Sequence, residues 1–142
     1  TRRSSDLERA VIMATTTGQQ KGVKAIISDK DLMDMQALVR DMPIGEQVVE
    51  AILTLVRRGR PTDEAPDLVR DYVVWAPGPR ASQALMLACR AKALLEGRPA
   101  PSPEDVLVLA EPVLKHRMAL SYKARANGVH LRDVIAEMRA GL

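Results

Sequence analysis

At 142 residues the chain is the size of one ordinary domain and can bury a real core without disulfides or metals to hold it. Aromatics make up only 2%, with no Phe, so aliphatic side chains and seven Met must fill that core, which favours helices over sheets. The 21 basic residues face 18 acidic ones, a net charge of +3, and the two signs are interspersed, which suits a solvated surface better than a phosphate-binding stripe. The one cysteine, Cys89, excludes an internal disulfide and a cysteine-based zinc site, and fits a reducing compartment. No apolar run approaches the length of a bilayer span and no signal peptide precedes the first helix-like segment, so a cytoplasmic protein with no membrane partner is expected. The opening TRRSSDLE reads as the interior of a longer protein, and the chain as a fragment or processed product.

In chain order, Ser5 and Glu8 form an S-x-x-E capping pattern, and a first helix is predicted to about Thr15. TTTGQQKG marks a loop, so residues 1–27 read as a helix and loop leading into the rest. Ser28 with Asp31 repeats the capping signal, and Leu32, Met35, Val39 and Met42 fall on one helical face until Pro43 stops the helix. Val48, Val49, Ile52, Leu55 and Val56 form the next stripe, ended by RRGRP: cations for the negative end of the helix dipole, then Gly, then Pro. Residues 61–78 read as a linker with a short helix, in which Leu68, Val69, Tyr72 and Val73 have helical spacing and Trp75 is the expected buried end.

From Pro79 a long amphipathic helix is predicted to Glu96, with Ala81, Ala84, Leu85, Ala88, Ala91 and Leu95 on one face, closed by Gly97. Ser102, Pro103, Glu104 and Asp105 supply a cap, a proline at the first helical position and acid in the first turn. Val106, Leu109, Ala110 and Val113 are its expected buried face, and Lys115-His116-Arg117 its basic end. After Asn127-Gly128, a last helix carries Leu131, Val134, Ile135 and Met138. No segment alternates strictly, and VVW and VLVL are short enough to be helix parts. The expectation is therefore an all-α fold, a compact bundle of six or seven helices with no significant β-sheet.

Few residues invite chemistry. There is no G-x-x-x-x-G-K-[ST], hence no phosphate-cradling loop, and VLVLAE lacks the Asp that a magnesium-holding segment would place before Glu111. His116 reads as a cation or donor at a helix C-terminus, His130 as a residue near a helix start, and Cys89 as a small buried hydrophobe; no metal site is expected. Arg80 differs, because the first turn of a helix already presents positive potential and is a poor place for a cation unless an anion visits it.

The segments WAPGPRASQALMLACRAKALLEGR and SPEDVLVLAEPVLKHRMALSYKARANGVHLRDVI, in this order and spacing, resemble the C-terminal helical lid of MoxR-type AAA+ ATPases. The likeness extends more loosely through ISDKDLMDMQALVRDMPIGEQVVEAILTLVRRGRP, so it covers nearly all of residues 1–142 as one lid domain. It implies a lid that folds over ATP, used with Mg2+, at the subunit junctions of a hexameric ring, next to its own AAA+ core. It also implies a chaperone that matures partner complexes, often beside von Willebrand factor A domains. The family's second-sensor arginine, which reaches the γ-phosphate, maps onto Arg80, and Gly78, Pro79 and Ala81 by position onto the nucleotide wall. Hydrolysis belongs to the intact ATPase; no catalysis is expected of the fragment, which lacks the core. The segment RPTDEAPDLVRDYVVW is longer than the family's usual linker. Two other readings stay open: a lid of the magnesium-chelatase-like branch, and a helical adaptor or nucleic-acid module placing Arg57, Arg58, Arg60 and Lys123 or Arg125 on phosphates. Scarce aromatics and interleaved acids weigh against nucleic acid.

Overall fold

A computed structural model describes residues 2–16 and 24–142, in two units, Thr1–Met33 and Asp34–Leu142. The first unit contains α1, Arg2–Thr16, so Ser5 lies inside the helix rather than at its cap. The hydroxyls of Thr15 and Thr16 donate back to the carbonyls of Val11 (2.8 Å) and Ile12 (2.6 Å) within its last turns. Thr15 and Thr16 therefore extend the helix, and the remainder of the predicted TTTGQQKG loop lies outside the described residues. Helix α2, Asp29–Asp41, starts as its sequence demands: the Ser28 N–H donates to Asp31 Oδ2 at 2.9 Å and the Asp31 N–H donates to Ser28 Oγ at 3.1 Å. Its predicted apolar stripe is only partly buried. Val39 is half-buried and Met42 buried, whereas Leu32 and Met35 remain about half exposed.

The second unit continues with α3 (Glu46–Arg58), α4 (Asp67–Tyr72), β1 (Val73–Trp75), α5 (Pro79–Leu95), α6 (Pro103–Leu114), β2 (Ala119–Leu120), α7 (Tyr122–Ala126) and α8 (Leu131–Arg139). The all-α expectation holds, with eight helices among the described residues and a sheet of two very short antiparallel strands. The added helix is α7, whose N-cap Ser121 accepts from the Ala124 N–H at 3.3 Å. VVW is a strand rather than a helix part, because β-branched Val73 and Val74 beside Trp75 favour extended backbone once β2 supplies a partner.

Ile52, Leu55, Leu85, Leu114, Ile135 and Met138 are fully buried and form the core with Val48, Val69, Val106 and Val134. Truncating any of the larger ones to Ala would cost about 2–5 kcal/mol. On α5 the buried line is Ala81, Leu85, Cys89 and Ala93, a four-residue row of mostly small side chains. Leu95, expected on that face, sits two positions beyond Ala93, on nearly the opposite side, and is exposed. Burial also pushes the Cys89 thiol up to about 11. One of the cations ending α3 serves a second helix: Arg58 Nε donates to the Met138 carbonyl at 2.9 Å, and its Nη2 to that of Glu137 at 3.4 Å, in the last turn of α8.

Helices α5 and α6 form an antiparallel hairpin whose closed end is an ion cluster. Gly97, at φ 68, lets the Arg98 N–H reach the Ala93 carbonyl (2.9 Å) while its own N–H reaches that of Leu94 (3.0 Å), a Schellman ending. The turn delivers Arg98 to Asp105, the one buried charged side chain among the described residues. Arg98 Nη1 and Nη2 grip the two carboxylate oxygens at 2.9 and 2.8 Å, the Ser102 N–H donates at 2.8 Å, and Lys92 Nζ lies 3.2 Å away. Burial pushes the Asp105 carboxyl up, but Arg98, the Ser102 N–H and Lys92 more than offset it and hold the group at about 2.

Because the folded value lies below the ordinary one, the Asp105 contribution is fully present above about pH 4 and is lost as pH falls toward 2. Asp105→Asn should lower stability by about 1–3 kcal/mol at pH 7 and flatten the stability profile between roughly pH 4 and 2. Urea unfolding midpoints across that pH range would check both effects; a variant as acid-sensitive as the parent would refute them.

Candidate functional site

The other end of the same hairpin gathers the polar side chains that the core does not use. Strand β1 leads through Ala76 and buried Pro77 to Gly78, the N-cap of α5, followed by Pro79 at the first helical position and Arg80 in the first turn. The approach is fixed by close packing under it. A Cβ on Gly59, just past α3, would lie 2.7 Å from Pro77 Cγ and 2.8 Å from Met138 Cε, so only glycine lets these groups meet without displacement.

Gly78 has the reverse character. Its backbone is extended (φ −101, ψ −171) and a Cβ there would meet nothing within 4 Å, so neither conformation nor crowding inside this chain requires glycine. With no side chain at the cap and proline next, the first turn of α5 receives no side-chain acceptor. Arg80 is exposed, and no carboxylate among the described residues pairs with it.

Arg80 lines a hollow of about 670 Å³ with Trp75, Ala76, Gly78, Pro79, Ala81, His116 and Arg117. The four residues singled out from the sequence, Gly78, Pro79, Arg80 and Ala81, thus share one concavity, although Ala81 itself is buried. His116 and Arg117 enter it from just beyond α6. Arg117 Nη1 donates to the Val113 carbonyl at 2.7 Å and also meets His116 Nε2, which anchors the guanidinium at the helix C-terminus. The basic LKHR segment had signalled cations at a helix end, but only the antiparallel pairing of α5 with α6 brings them opposite Arg80.

Trp75 also belongs to the hollow and is 69% exposed, not the buried end its position suggested. His130 sits at the N-cap of α8, its N–H donating to Asp133 Oδ2 at 3.0 Å, away from the hollow. No group of three or more His, Cys, Asp or Glu among the described residues could hold a metal ion. Nor is any described helix long and apolar enough to cross a membrane.

Residues 65–138, from the approach to α4 through most of α8, match the AAA lid domain, and the chain belongs to that family. It is a lid of the type carried by MoxR AAA+ ATPases. The chaperone MoxR1 of Mycobacterium tuberculosis is 31% identical over 135 residues, covering 93% of this chain and 35% of that protein. The uncharacterized protein YeaC of Bacillus subtilis is 28% identical over 120 residues, with 84% of this chain and 35% of the relative covered. The chain thus spans about a third of the length of the curated relatives it matches. A crystal structure of a candidate ATPase from Cytophaga hutchinsonii superposes with a TM-score of 0.77 at 25% identity, over 98% of this chain and 42% of that one.

Gly59→Ala tests how firmly the site is held from below. It should lower stability by about 1–3 kcal/mol through overpacking against Pro77 and Met138. Chemical denaturation would show the loss, whereas Gly78→Ala, with open space around its Cβ, should leave the midpoint nearly unchanged.

Proposed function

We propose that this chain closes over ATP at the subunit junctions of an AAA+ ring and that Arg80 senses the γ-phosphate. The observation that carries this reading is the unpaired, exposed guanidinium of Arg80 in the uncapped first turn of α5, facing a hollow whose other ionisable side chains are His116 and Arg117. The positive end of the helix dipole and the guanidinium of Arg80, with Arg117 beside it, favour a polyanion there. A guanidinium held by a helix gains more from a triphosphate than from a diphosphate, so loss of the γ-phosphate changes the preferred lid orientation. Gly78, Pro79 and Ala81 complete the wall, and the room at Gly78 admits close approach of the nucleotide or of the core domain. The hollow offers no carboxylate, so these residues suit phosphates and not Mg2+, whose ligands fall to the core domain on this reading.

Under the same proposal residues 1–142 are one lid segment, with 1–27 leading into it and 61–78 as a linker, and the intact protein is a cytoplasmic hexameric ATPase. The chaperone name of its Mycobacterium tuberculosis relative supports a role in maturing partner complexes, with von Willebrand factor A domain proteins as candidate partners. Hydrolysis is assigned to the intact ATPase, because one wall of a pocket supplies few of the contacts a nucleotide needs. Nucleic acid is disfavoured further by Arg58, whose guanidinium is already committed to the carbonyls of α8.

In the intact ATPase, Arg80→Ala should slow steady-state hydrolysis by about tenfold or more and bring the ATP and ADP affinities closer together. Turnover and affinity ratio both equal to the parent's would remove Arg80 from the role.

A further inference from the structure

We infer that Trp75 is the stacking platform for the nucleobase of the nucleotide whose phosphates face Arg80, an assignment that rests on the lid reading above. Strict alternation along β1 would place Trp75 on the same side as Val73, which is buried. It does not, because the pairing with β2 slips: Val73 lies opposite Leu120 and Trp75 opposite Ala119, so β1 spends two steps where β2 spends one. Such a bulge re-aims the side chain that follows it. Here it turns the largest aromatic ring of the chain outward, at 69% exposure, into the hollow that Arg80 and Arg117 share.

The chemistry of that hollow is specific as a set. An exposed indole at one part of the wall and guanidinium groups at another match a ligand that is planar at one end and polyanionic at the other, and a nucleotide has that form. The volume, about 670 Å³, falls within the range of small-molecule sites. The platform is also firm: backbone pairing fixes β1 against β2, and the Ser121 N–H donates to the Tyr72 carbonyl at 2.7 Å immediately before the strand. Stacking is tolerant of base identity, since every base has a π-face, so the platform contributes affinity for nucleotides as a class.

The test uses the intact ATPase and two probes, ATP and inorganic tripolyphosphate, the second measured as an inhibitor of hydrolysis. Trp75→Ala should weaken ATP binding roughly tenfold and leave the tripolyphosphate inhibition constant unchanged, and Trp75→Phe should restore most of the loss. Because the indole is exposed, both variants are expected to fold, which circular dichroism would check. Equal weakening of both probes would overturn the proposal by assigning Trp75 to domain docking or to shaping the whole site; no change in either would overturn it by removing Trp75 from the nucleotide. Arg80→Ala in the same assays separates the two claims, since it should weaken tripolyphosphate as well. A response at Arg80 without one at Trp75 refutes only the stacking platform, and silence at both refutes the lid reading with it.

Discussion

The carboxylate of Asp105 is the interaction on which the rest of the molecule turns. An isolated buried carboxylate would be strongly unfavourable, and this one is tolerated because a bidentate arginine, an ammonium and a backbone N–H neutralise it together. All of those partners come from the end of α5 or the start of α6 and the turn between them. The cluster therefore ties the two helices together at this end, while core packing carries the pairing to the far end, where Arg80 faces His116 and Arg117.

A second constraint reaches the same place from the other side. The end of α3 abuts Pro77 through Gly59, while Arg58 holds the last turn of α8, so α3, α8 and the strand leading into α5 are mutually located within a few residues. The first turn of α5 is thus fixed by its core row of Ala81, Leu85, Cys89 and Ala93 and by the proline that precedes it. The exposed Arg80 guanidinium is therefore carried on a backbone that the core holds in place.

Much of this was legible in the sequence because it is local. Ser28 with Asp31, Ser102 with Pro103 and Asp105, and Gly97 after a helix each announce a terminus through bonds spanning at most five residues, and each is found where the sequence places it. Arg80 stood out for the same reason, as a cation at the wrong end of a dipole. What escaped depends on pairing between distant segments. The exposure of Trp75 follows from a bulge that exists only when β2, over forty residues later, lies alongside. Arg117 enters the hollow through the antiparallel turn of α5 and α6, and Ser5 mimics a cap because S-x-x-E fits a helix interior as well as a helix start. The half-exposed stripe of α2 shows the converse limit, since periodicity identifies an apolar face without identifying what covers it.

The sealed position of Cys89 gives the domain an intrinsic reporter. With the sulfur fully buried and its ionisation pushed to about 11, the thiolate that alkylating agents need is scarce, and its exposure requires α5 to part from its neighbours. Modification by a thiol-specific reagent would then count opening events of the bundle, and a cysteine introduced on the surface could be labelled selectively against a silent background.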